Sequence, residues 1–342
     1  MYTNLSLAAA TAYAQLVEAL QSGELSRSVL DAPGSFNRKQ IAGKDYWYYQ
    51  YRDLNGKLIQ AYLGPDSAAL SALVAQRQSA GHEHSDRQIR AMAQAASTLG
   101  CTTVVAAHLA VIQRLSDAGF FRAGGLLVGT HAFLAAGNML GVRWGDASRT
   151  QLDMDEEAFA HAGRHMQVAL RSDASLDLGD VVSSLNMGFV PASSLDGIRG
   201  GRWVNPKEPG FVLDFLTPMD KTEKELVYVP AFRADFQALR FMEFSLEDVQ
   251  SAAVFTGTKA CLVNVPNPAR MAVHKLIVSG LRPMAQRTKA NKDLQQAAML
   301  YAWLLDQDPE GLIDAELDAR LRGPKWRKHL SAGLHGIEDL LS

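Results

Sequence analysis

A single aspartate inside an apolar run restricts the folds open to this sequence. The segment Phe211–Leu216 is apolar except for Asp214, and a short apolar run of this kind is typical of a buried β-strand. An ionised carboxylate in such a strand is costly unless it is paired with a cation or bound to a metal. We therefore expect a sheet that carries a charged site at Asp214. The alternative is an edge strand in which Asp214 only forms a salt bridge.

Two further acids, Asp153 and Asp155, lie two positions apart in the segment Leu152–Asp155. If this segment is a strand, both carboxylates point to the same face, because side chains alternate with a period of two. Two like charges side by side are unfavourable without a cation, and Mg²⁺ prefers carboxylate oxygens. The alternative is a solvated loop that leads into the acidic first turn of a helix, which we predict over Ala158–Leu170.

A third element precedes the acids and combines a strand, a turn and a helix. The apolar run Gly125–Val128 predicts a buried strand, and Gly129 and Thr130 follow it at the start of a predicted helix. Glycine lets the backbone approach a phosphate closely, and the first N–H groups of the helix and the Thr130 hydroxyl can donate hydrogen bonds to it. The alternative is a purely structural turn, in which the adjacent His131 caps the helix or packs.

Taken together, these three elements resemble the DNA polymerase β-like nucleotidyltransferase superfamily. The stretch Gly129–Phe133, with Thr150 and Gln151 before the acids, resembles a bacterial subgroup of that superfamily. The resemblance covers roughly residues 120–300. This sequence departs from the pattern in a longer interval between Gly129 and Asp153, through a loop at 141–149, and in Glu156, where the pattern has an apolar residue.

The resemblance implies an enzyme that transfers a nucleoside monophosphate from an NTP to a hydroxyl group on RNA, protein or a small molecule. It also implies two divalent ions, Mg²⁺ or Mn²⁺, which clamp the two oxygens of an in-line displacement. By that resemblance, Asp153 and Asp155 bind both metals, and Asp214 assists the metal that activates the acceptor. A different class of function is a nucleic-acid-binding module whose transferase fold is catalytically degenerate.

A basic stretch follows these elements and ends near Lys292. In similar enzymes a helical lysine after the catalytic sheet contacts the triphosphate, so Lys275 and Lys292 are the candidate lysines here. Together with Gly129 and Thr130 of the glycine turn, they make up the predicted nucleotide-binding residues. The alternative is a solvated helical face, in which Asp293 pairs with Lys289 or another nearby base.

Aromatic residues fill a predicted strand in the N-terminal part of the chain. The run Tyr46–Arg52 places aromatic side chains on both faces of the strand, and Asn55-Gly56 predicts a hairpin turn after it. These rings could stack on the bases of single-stranded nucleic acid, and the nearby lysines and arginines could hold its backbone. This leads to the hypothesis that the acceptor is an RNA such as tRNA. The alternative is that the rings form the core of their own small sheet.

Composition agrees with an ordinary globular protein of more than one domain. The formal net charge is −2, so a basic surface must be local, and the two cysteines have no metal-ligand spacing. We find no secretory signal and no membrane-spanning run, which favours a cytoplasmic protein without a membrane partner. The expected fold class is α+β, with an N-terminal helix and three-stranded sheet (1–84), a nucleotidyltransferase core (85–265) and a C-terminal helical region (266–342).

Hydrophobic periodicity gives the remaining predicted elements. Gly81 is expected to stop a helix and Ser85 to cap the next, within a group of three helices. Val105 is expected on the buried face of the last of these. The other predicted elements are helices at Leu5–Gln21 and Leu178–Met187 and strands at Leu226–Pro230, Phe241–Phe244 and Cys261–Val265.

Overall fold

A computed structural model gives the architecture of the chain. It describes residues 1–25, 34–41, 43–52, 58–145, 156–161, 177–193, 199–221, 223–281 and 287–341. The predicted metal ligands Asp153 and Asp155 and the predicted turn at Asn55-Gly56 lie outside these ranges. None of the helices in the described part of the chain is long and apolar enough to cross a membrane.

The described chain mixes helices and strands, as an α+β fold requires. In chain order the helices are α1 (Leu7–Leu25), α2 (Ala68–Thr98), α3 (Ala106–Asp117), α4 (Gly129–Met139), α5 (Leu178–Ser183), α6 (Met242–Ser245), α7 (Pro268–Ser279), α8 (Arg287–Gln307), α9 (Pro309–Leu321), α10 (Pro324–His335) and α11 (Glu338–Leu341). After residue 267 the described residues form helices and their connections, as the sequence predicted for the C-terminal region.

Within the described ranges, the strands fall into four sheets. In chain order they are β1 (Tyr2–Asn4), β2 (Gly34–Ile41), β3 (Lys44–Arg52), β4 (Leu58–Pro65), β5 (Gly125–Val128), β6 (Val142–Trp144), β7 (Glu156–His161), β8 (Val190–Ser193), β9 (Arg199–Asn205), β10 (Glu208–Pro218), β11 (Leu226–Val229), β12 (Ala234–Leu239), β13 (Val249–Phe255) and β14 (Ala260–Pro266). β1 pairs with β6, β13 with β14, and β2, β3 and β4 form a separate three-stranded sheet.

The largest sheet has seven strands, and β10 lies inside it. The strand order is β11-β12-β10-β7-β5, while β9 pairs with β10 and β8 with β9. β7 runs parallel to β10 along one edge. The other edge is divided, because β9 pairs with β10 up to Asp214 and β12 pairs from Leu216 onward.

The two faces of β10 meet different apolar clusters. Phe211, Leu213 and Phe215 belong to the main hydrophobic core. The opposite face carries Asp214 and Leu216, and Leu216 packs against a smaller cluster that includes Val128. A strand that is covered on both faces alternates in this way. Asp214 therefore lies on the face of the sheet that also carries Val128.

Several predicted elements are confirmed. α1 corresponds to the predicted N-terminal helix, β5 and β14 to two predicted strands, and β10 extends the predicted strand Phe211–Leu216 at both ends. α1 also packs on β13, where the buried Tyr13 hydroxyl donates a hydrogen bond to the carbonyl oxygen of Ala253 and accepts one from its amide. β2, β3 and β4 confirm the three-stranded aromatic sheet.

Two of the predicted helix boundaries are wrong. α2 continues without a break through Gly81 and Ser85. One glycine destabilises a helix by only about 1 kcal/mol relative to alanine, which is too little to end a long helix. Its N-cap is Ser67, whose hydroxyl accepts a hydrogen bond from the amide of Leu70. Val105 is the residue directly before α3, and its side chain makes no capping hydrogen bond. It is 43% exposed, so it does not lie on the buried face of the helix.

Two predicted elements are of the wrong type. The segment Phe241–Phe244, predicted as a strand, lies in a turn and in α6, and Phe241 itself has a left-handed backbone with φ 66°. The predicted helix Ala158–Leu170 is contradicted at its start, because β7 occupies Glu156–His161. Pairing with strands on both edges outweighs the helix propensity of this short segment.

Gly201 in β9 lies at the point along β10 where pairing with β9 ends and pairing with β12 begins. Replacing Gly201 tests how closely these three strands approach each other. A Cβ atom there would lie 2.5 Å from the carbonyl oxygen of Phe215 and 2.8 Å from the amide nitrogen of Gln237. Both are backbone atoms, so Gly201→Ala must open the sheet. We expect a loss of about 1–3 kcal/mol in the free energy of unfolding, measured by urea denaturation.

The matched control is Gly23→Ala in α1, where an added Cβ meets nothing within 4 Å. Because alanine is favoured over glycine in a helix, this variant should gain about 0.5–1 kcal/mol. Equal stability of Gly201→Ala and the parent protein would contradict the close approach of the three strands.

Candidate functional site

A single row of residues across the seven-stranded sheet connects the predicted site elements. Val128 at the end of β5 pairs with Ala158 in β7, and Ala158 pairs on its other side with Asp214 in β10. Arg202 in β9 pairs with Asp214 and completes the row. Neighbouring strands lie about 4.8 Å apart, so Val128 and Asp214 are separated by roughly 10 Å.

The carboxylate of Asp214 is nearly buried in the middle of this row. The residue is 9% exposed, and its neighbours Leu213 and Phe215 are fully buried on the opposite face. Its described ion pair is with Arg202, whose Nε lies 3.7 Å from Oδ1. This distance is longer than a hydrogen bond, and the Arg202 side chain is 44% exposed. Asp214 is therefore a charged group on an inner strand with a long and partly solvated ion pair.

The turn after β5 has the geometry that its glycine predicts. Gly129 has φ 68°, in the left-handed region that other residues adopt at a cost. Val128 precedes the helix and has no side-chain hydrogen bond to its first turn. The N–H groups that open α4 therefore receive no cap from Val128, and Thr130 stands among them with 7% exposure. A helix N-terminus whose first N–H groups lack a side-chain cap favours the binding of an anion, because these groups can donate hydrogen bonds to it.

A buried histidine pair supports the first turn of α4. His108 in α3 and His131 in α4 are joined by a hydrogen bond of 2.9 Å between Nδ1 and Nε2. Burial lowers the pKa of His131 to about 3, and the charges of His108 and Lys292 add to this effect. His131 is thus neutral at ordinary pH. Lys292 is the α8 residue whose charge acts on His131 in this way.

Lys275 has a different environment from Lys292. It is 6% exposed in α7, and its Nζ lies 3.3 Å from Oδ1 of Asp293 in α8. Both side chains are about nine-tenths buried, so the pair joins two packed helices. Asp293 does pair with a base, but the pair with Lys275 is buried and does not lie on the solvated helical face that the sequence alternative described.

The structure thus brings together part of the predicted site. Gly129 and Thr130 lie at the start of α4, and the charge of Lys292 in α8 acts on the adjacent His131. Asp214 lies two strands away in the row that begins at Val128. Asp153 and Asp155 lie outside the described residues, although the described strand β7 begins at the residue after Asp155. Within the described ranges, no three His, Cys, Asp or Glu side chains cluster as a metal site would require.

Sequence reasoning missed two residues near this site. Arg202 became visible only through the pairing of β9 with β10, because nothing in the local sequence distinguishes it from other surface arginines. His108 was missed for a similar reason, since its bond to His131 joins two helices 23 residues apart. The one available signal was His131 itself, beside the glycine turn.

A surface cleft of about 420 Å³ lies beyond the C-terminal end of β10 and does not include these residues. Its lining contains Arg240, Arg322 and Trp326. The two arginines are already engaged in ion pairs, Arg240 with Glu223 and Arg322 with both Asp318 and Glu247. Because both arginines already have carboxylate partners, we assign the cleft no part in the candidate site.

Comparison with protein families gives the class of this chain. Residues 106–320 match the sequence model of a family described as Nucleotidyltransferase. The match covers more than half of the chain, and the chain belongs to this family. It includes β5, α4, β7, β10 and the helices that carry Lys275 and Lys292. No curated protein matches the chain, and no solved structure matches it.

Removing Lys275 distinguishes a structural role from nucleotide binding. Lys275→Met takes away the cation that lies against the buried carboxylate of Asp293. Loss of one partner of a buried ion pair costs about 3–5 kcal/mol, which we expect in the free energy of unfolding. The double variant Lys275→Met/Asp293→Leu removes both charges and should recover most of this loss. A large rise in KM for a nucleotide with unchanged stability would contradict the structural role.

The histidine pair should make stability depend on pH. Because the pKa of His131 is lower in the folded state than in the unfolded state, its contribution is complete above about pH 6.5 and is lost as the pH falls toward 3. The slope is about 1.4 kcal/mol per pH unit in this window.

We expect His131→Gln to reduce the loss of unfolding free energy between about pH 6.5 and about pH 4 by roughly 3 kcal/mol. The control is His335→Gln, because the His335 side chain is 84% exposed. If His131→Gln and the parent protein lose stability equally over this range, His131 is not held neutral by the fold.

Proposed function

We propose that this protein transfers a nucleoside monophosphate from an NTP to a hydroxyl acceptor, with Asp153, Asp155 and Asp214 as ligands of two divalent ions. The acceptor oxygen attacks the α-phosphorus, and the bond to the bridging oxygen of the β-phosphate breaks. Pyrophosphate leaves, and the proton of the acceptor hydroxyl passes to solvent. Membership in the nucleotidyltransferase family supports this class of reaction.

The observation that carries the proposal is the nearly buried Asp214 on an inner strand. It shares a row with Val128, which directly precedes the glycine turn, and its strand is the parallel neighbour of the strand that begins at Glu156. A carboxylate in this position is costly without cations near it, and its row places it beside Arg202 and two strands from the glycine turn. A binding-only protein has no need for such a charge.

The donor set fits Mg²⁺ or Mn²⁺. Three aspartates supply oxygen ligands, which hard divalent cations prefer, and leave positions for substrate phosphates and water. When bound, the ions would neutralise charge on the triphosphate and on the leaving pyrophosphate. Asp153 and Asp155 would hold both ions, and Asp214 would complete the one on the acceptor side. This assignment follows the resemblance to DNA polymerase β-like enzymes.

The protein's own contribution would be to position the triphosphate. The amide groups at the start of α4 and the Thr130 hydroxyl can donate hydrogen bonds to phosphate oxygens, and Gly129 lets them approach closely. Lys292 would add positive charge from α8. Positioning and charge neutralisation are the main requirements of this chemistry. Lys275 would act indirectly, through its pair with Asp293, by fixing α8 against α7.

The proposal is tested by transfer of label from an α-³²P-labelled NTP in the presence of Mg²⁺ and total RNA or lysate. Asp214→Asn keeps the size of the side chain and removes its charge. We expect it to lower the transfer rate at least about a hundredfold, because an interaction made in the transition state is lost. Asp153→Ala should abolish transfer.

The matched control is Asp235→Asn, an exposed aspartate on the neighbouring strand β12. It should transfer label at the parent rate. Transfer that survives in Asp214→Asn would remove this residue from the metal site. Binding of RNA without transfer in the parent protein would favour the alternative, a nucleic-acid-binding module with a degenerate transferase fold.

A further inference from the structure

We propose that one face of the β2–β4 sheet binds single-stranded nucleic acid. We call it the tyrosine face, and it consists of Tyr46, Tyr48, Tyr62, Lys39, Lys44, Asn37, Gln50 and Gln60. It lies outside residues 106–320, so the family match says nothing about it. Binding itself does not depend on the proposed transferase function, whereas a role in recruiting the acceptor does.

Strand register gathers these side chains on one face. Tyr48 pairs with Asn37 on one side and with Tyr62 on the other, and Tyr46 pairs with Lys39. Residues directly opposite each other in paired strands share a face. The other face is used for folding, because the indole Nε1 of Trp47 donates hydrogen bonds to Asp66 and Ser71 at the start of α2.

The three tyrosines form a small aromatic patch, in which Tyr46 and Tyr48 are partly buried and Tyr62 is exposed. Tyr62 is 57% exposed, and its ring centroid lies 5.5 Å from that of Tyr48 and 6.1 Å from that of Tyr46. By contrast, Tyr49 on the other face is 4% exposed, which is the arrangement expected of a core residue. Aromatic side chains on an open sheet can stack on successive bases, whatever the sequence of the strand.

The charge of the tyrosine face is positive. Lys39 Nζ lies 5.2 Å from the ring centroid of Tyr48, and Lys44 is exposed on the same face. Asp45 points to the other face, where it pairs with Arg38. Among the described residues of the tyrosine face there is no carboxylate. Since the whole chain has a net charge of −2, this positive charge is local and complements a polyanion.

Amide side chains complete the face. Asn37 donates a hydrogen bond to Gln50, and Lys39 donates one to Gln60. Such groups can exchange these bonds for ones to base edges or sugar hydroxyls. Rings that stack, lysines that contact phosphates and amides that meet polar edges are together the chemistry of a single strand. In a duplex the base faces are covered by their neighbours, so the tyrosines would have nothing to stack on.

The test measures binding by fluorescence anisotropy, using the full chain without NTP or metal. The probes are labelled RNA and DNA single strands of about 16 nucleotides with one sequence. We expect Tyr62→Ser to raise Kd about tenfold, since it removes one stacking platform. Tyr62→Phe keeps the ring and should bind like the parent protein. The matched control is Tyr228→Ser on β11, because Tyr228 is also 57% exposed.

Salt dependence provides a second, independent measurement. Each phosphate contact on a single strand contributes a slope of about −0.7 in log K against log salt concentration. Lys39→Gln should therefore reduce the slope by about 0.7 relative to the parent protein. Circular dichroism and thermal unfolding confirm that each variant is folded. Binding of either labelled strand that is weakened in Tyr62→Ser supports the proposal, and the strand that binds more tightly identifies the natural class.

Three results would overturn the proposal: no binding of either strand, equal Kd values for Tyr62→Ser and the parent protein, or tighter binding of a duplex. The transferase proposal fails separately. Asp214→Asn lies far from the tyrosine face in sequence and should bind the labelled strands with the Kd of the parent protein. Loss of transfer with retained binding in that variant, and loss of binding in Tyr62→Ser, would thus be distinguishable outcomes.

Discussion

The backbone pairing of β5, β7 and β10 determines where the candidate groups lie. Ala158 pairs with Val128 on one side and with Asp214 on the other. This row fixes the glycine turn at the end of β5 roughly two strand spacings from the carboxylate of Asp214. Because β7 is parallel to β10 and antiparallel to β5, its first residue lies at the edge where β5 ends. Everything proposed for the site depends on this register.

A second constraint is that the buried ionisable side chains must be paired or kept neutral, because their surroundings are largely apolar. Asp214 is nearly buried with a long ion pair to Arg202, and Lys275 and Asp293 neutralise each other between α7 and α8. His131 remains neutral, since burial and the nearby Lys292 lower its pKa. A neutral imidazole beside Gly129 and Thr130 lets the start of α4 pack closely without adding a fixed charge. Under the proposed function, Lys292 and the amides of α4 would supply the positive potential.

The elements with the clearest local signals were predicted from the sequence. β5 and the Phe211–Leu216 segment of β10 are short, largely apolar runs. Gly129, directly after β5, adopts the left-handed conformation that its place in the turn requires. The apolar segment Phe241–Phe244 was misassigned, because four residues cannot distinguish a strand from a short helix. β7 was missed at Glu156, since its two acids look like a helix start. Its structure comes from pairing on both edges.

The site was predictable only where the chemistry is local. Asp214 stands out because it is charged in an apolar strand, and Gly129 because it follows a buried strand. Arg202 and the bond between His108 and His131 depend on which strands and helices become neighbours, and a single sequence does not encode that in any local pattern. Lys275 and Lys292 looked equivalent in sequence, yet Lys275 is buried against Asp293 and Lys292 lies near His131.

The most direct test of the central claim is a crystal structure of the full chain with Mn²⁺ and a non-hydrolysable NTP analogue, measured at the manganese absorption edge. We expect two anomalous peaks about 3.5–4 Å apart. A carboxylate oxygen of Asp214 should lie about 2.1 Å from one of them, with Asp153 and Asp155 around both. Manganese bound elsewhere, with Asp214 still paired to Arg202 beside a bound nucleotide, would contradict the central claim.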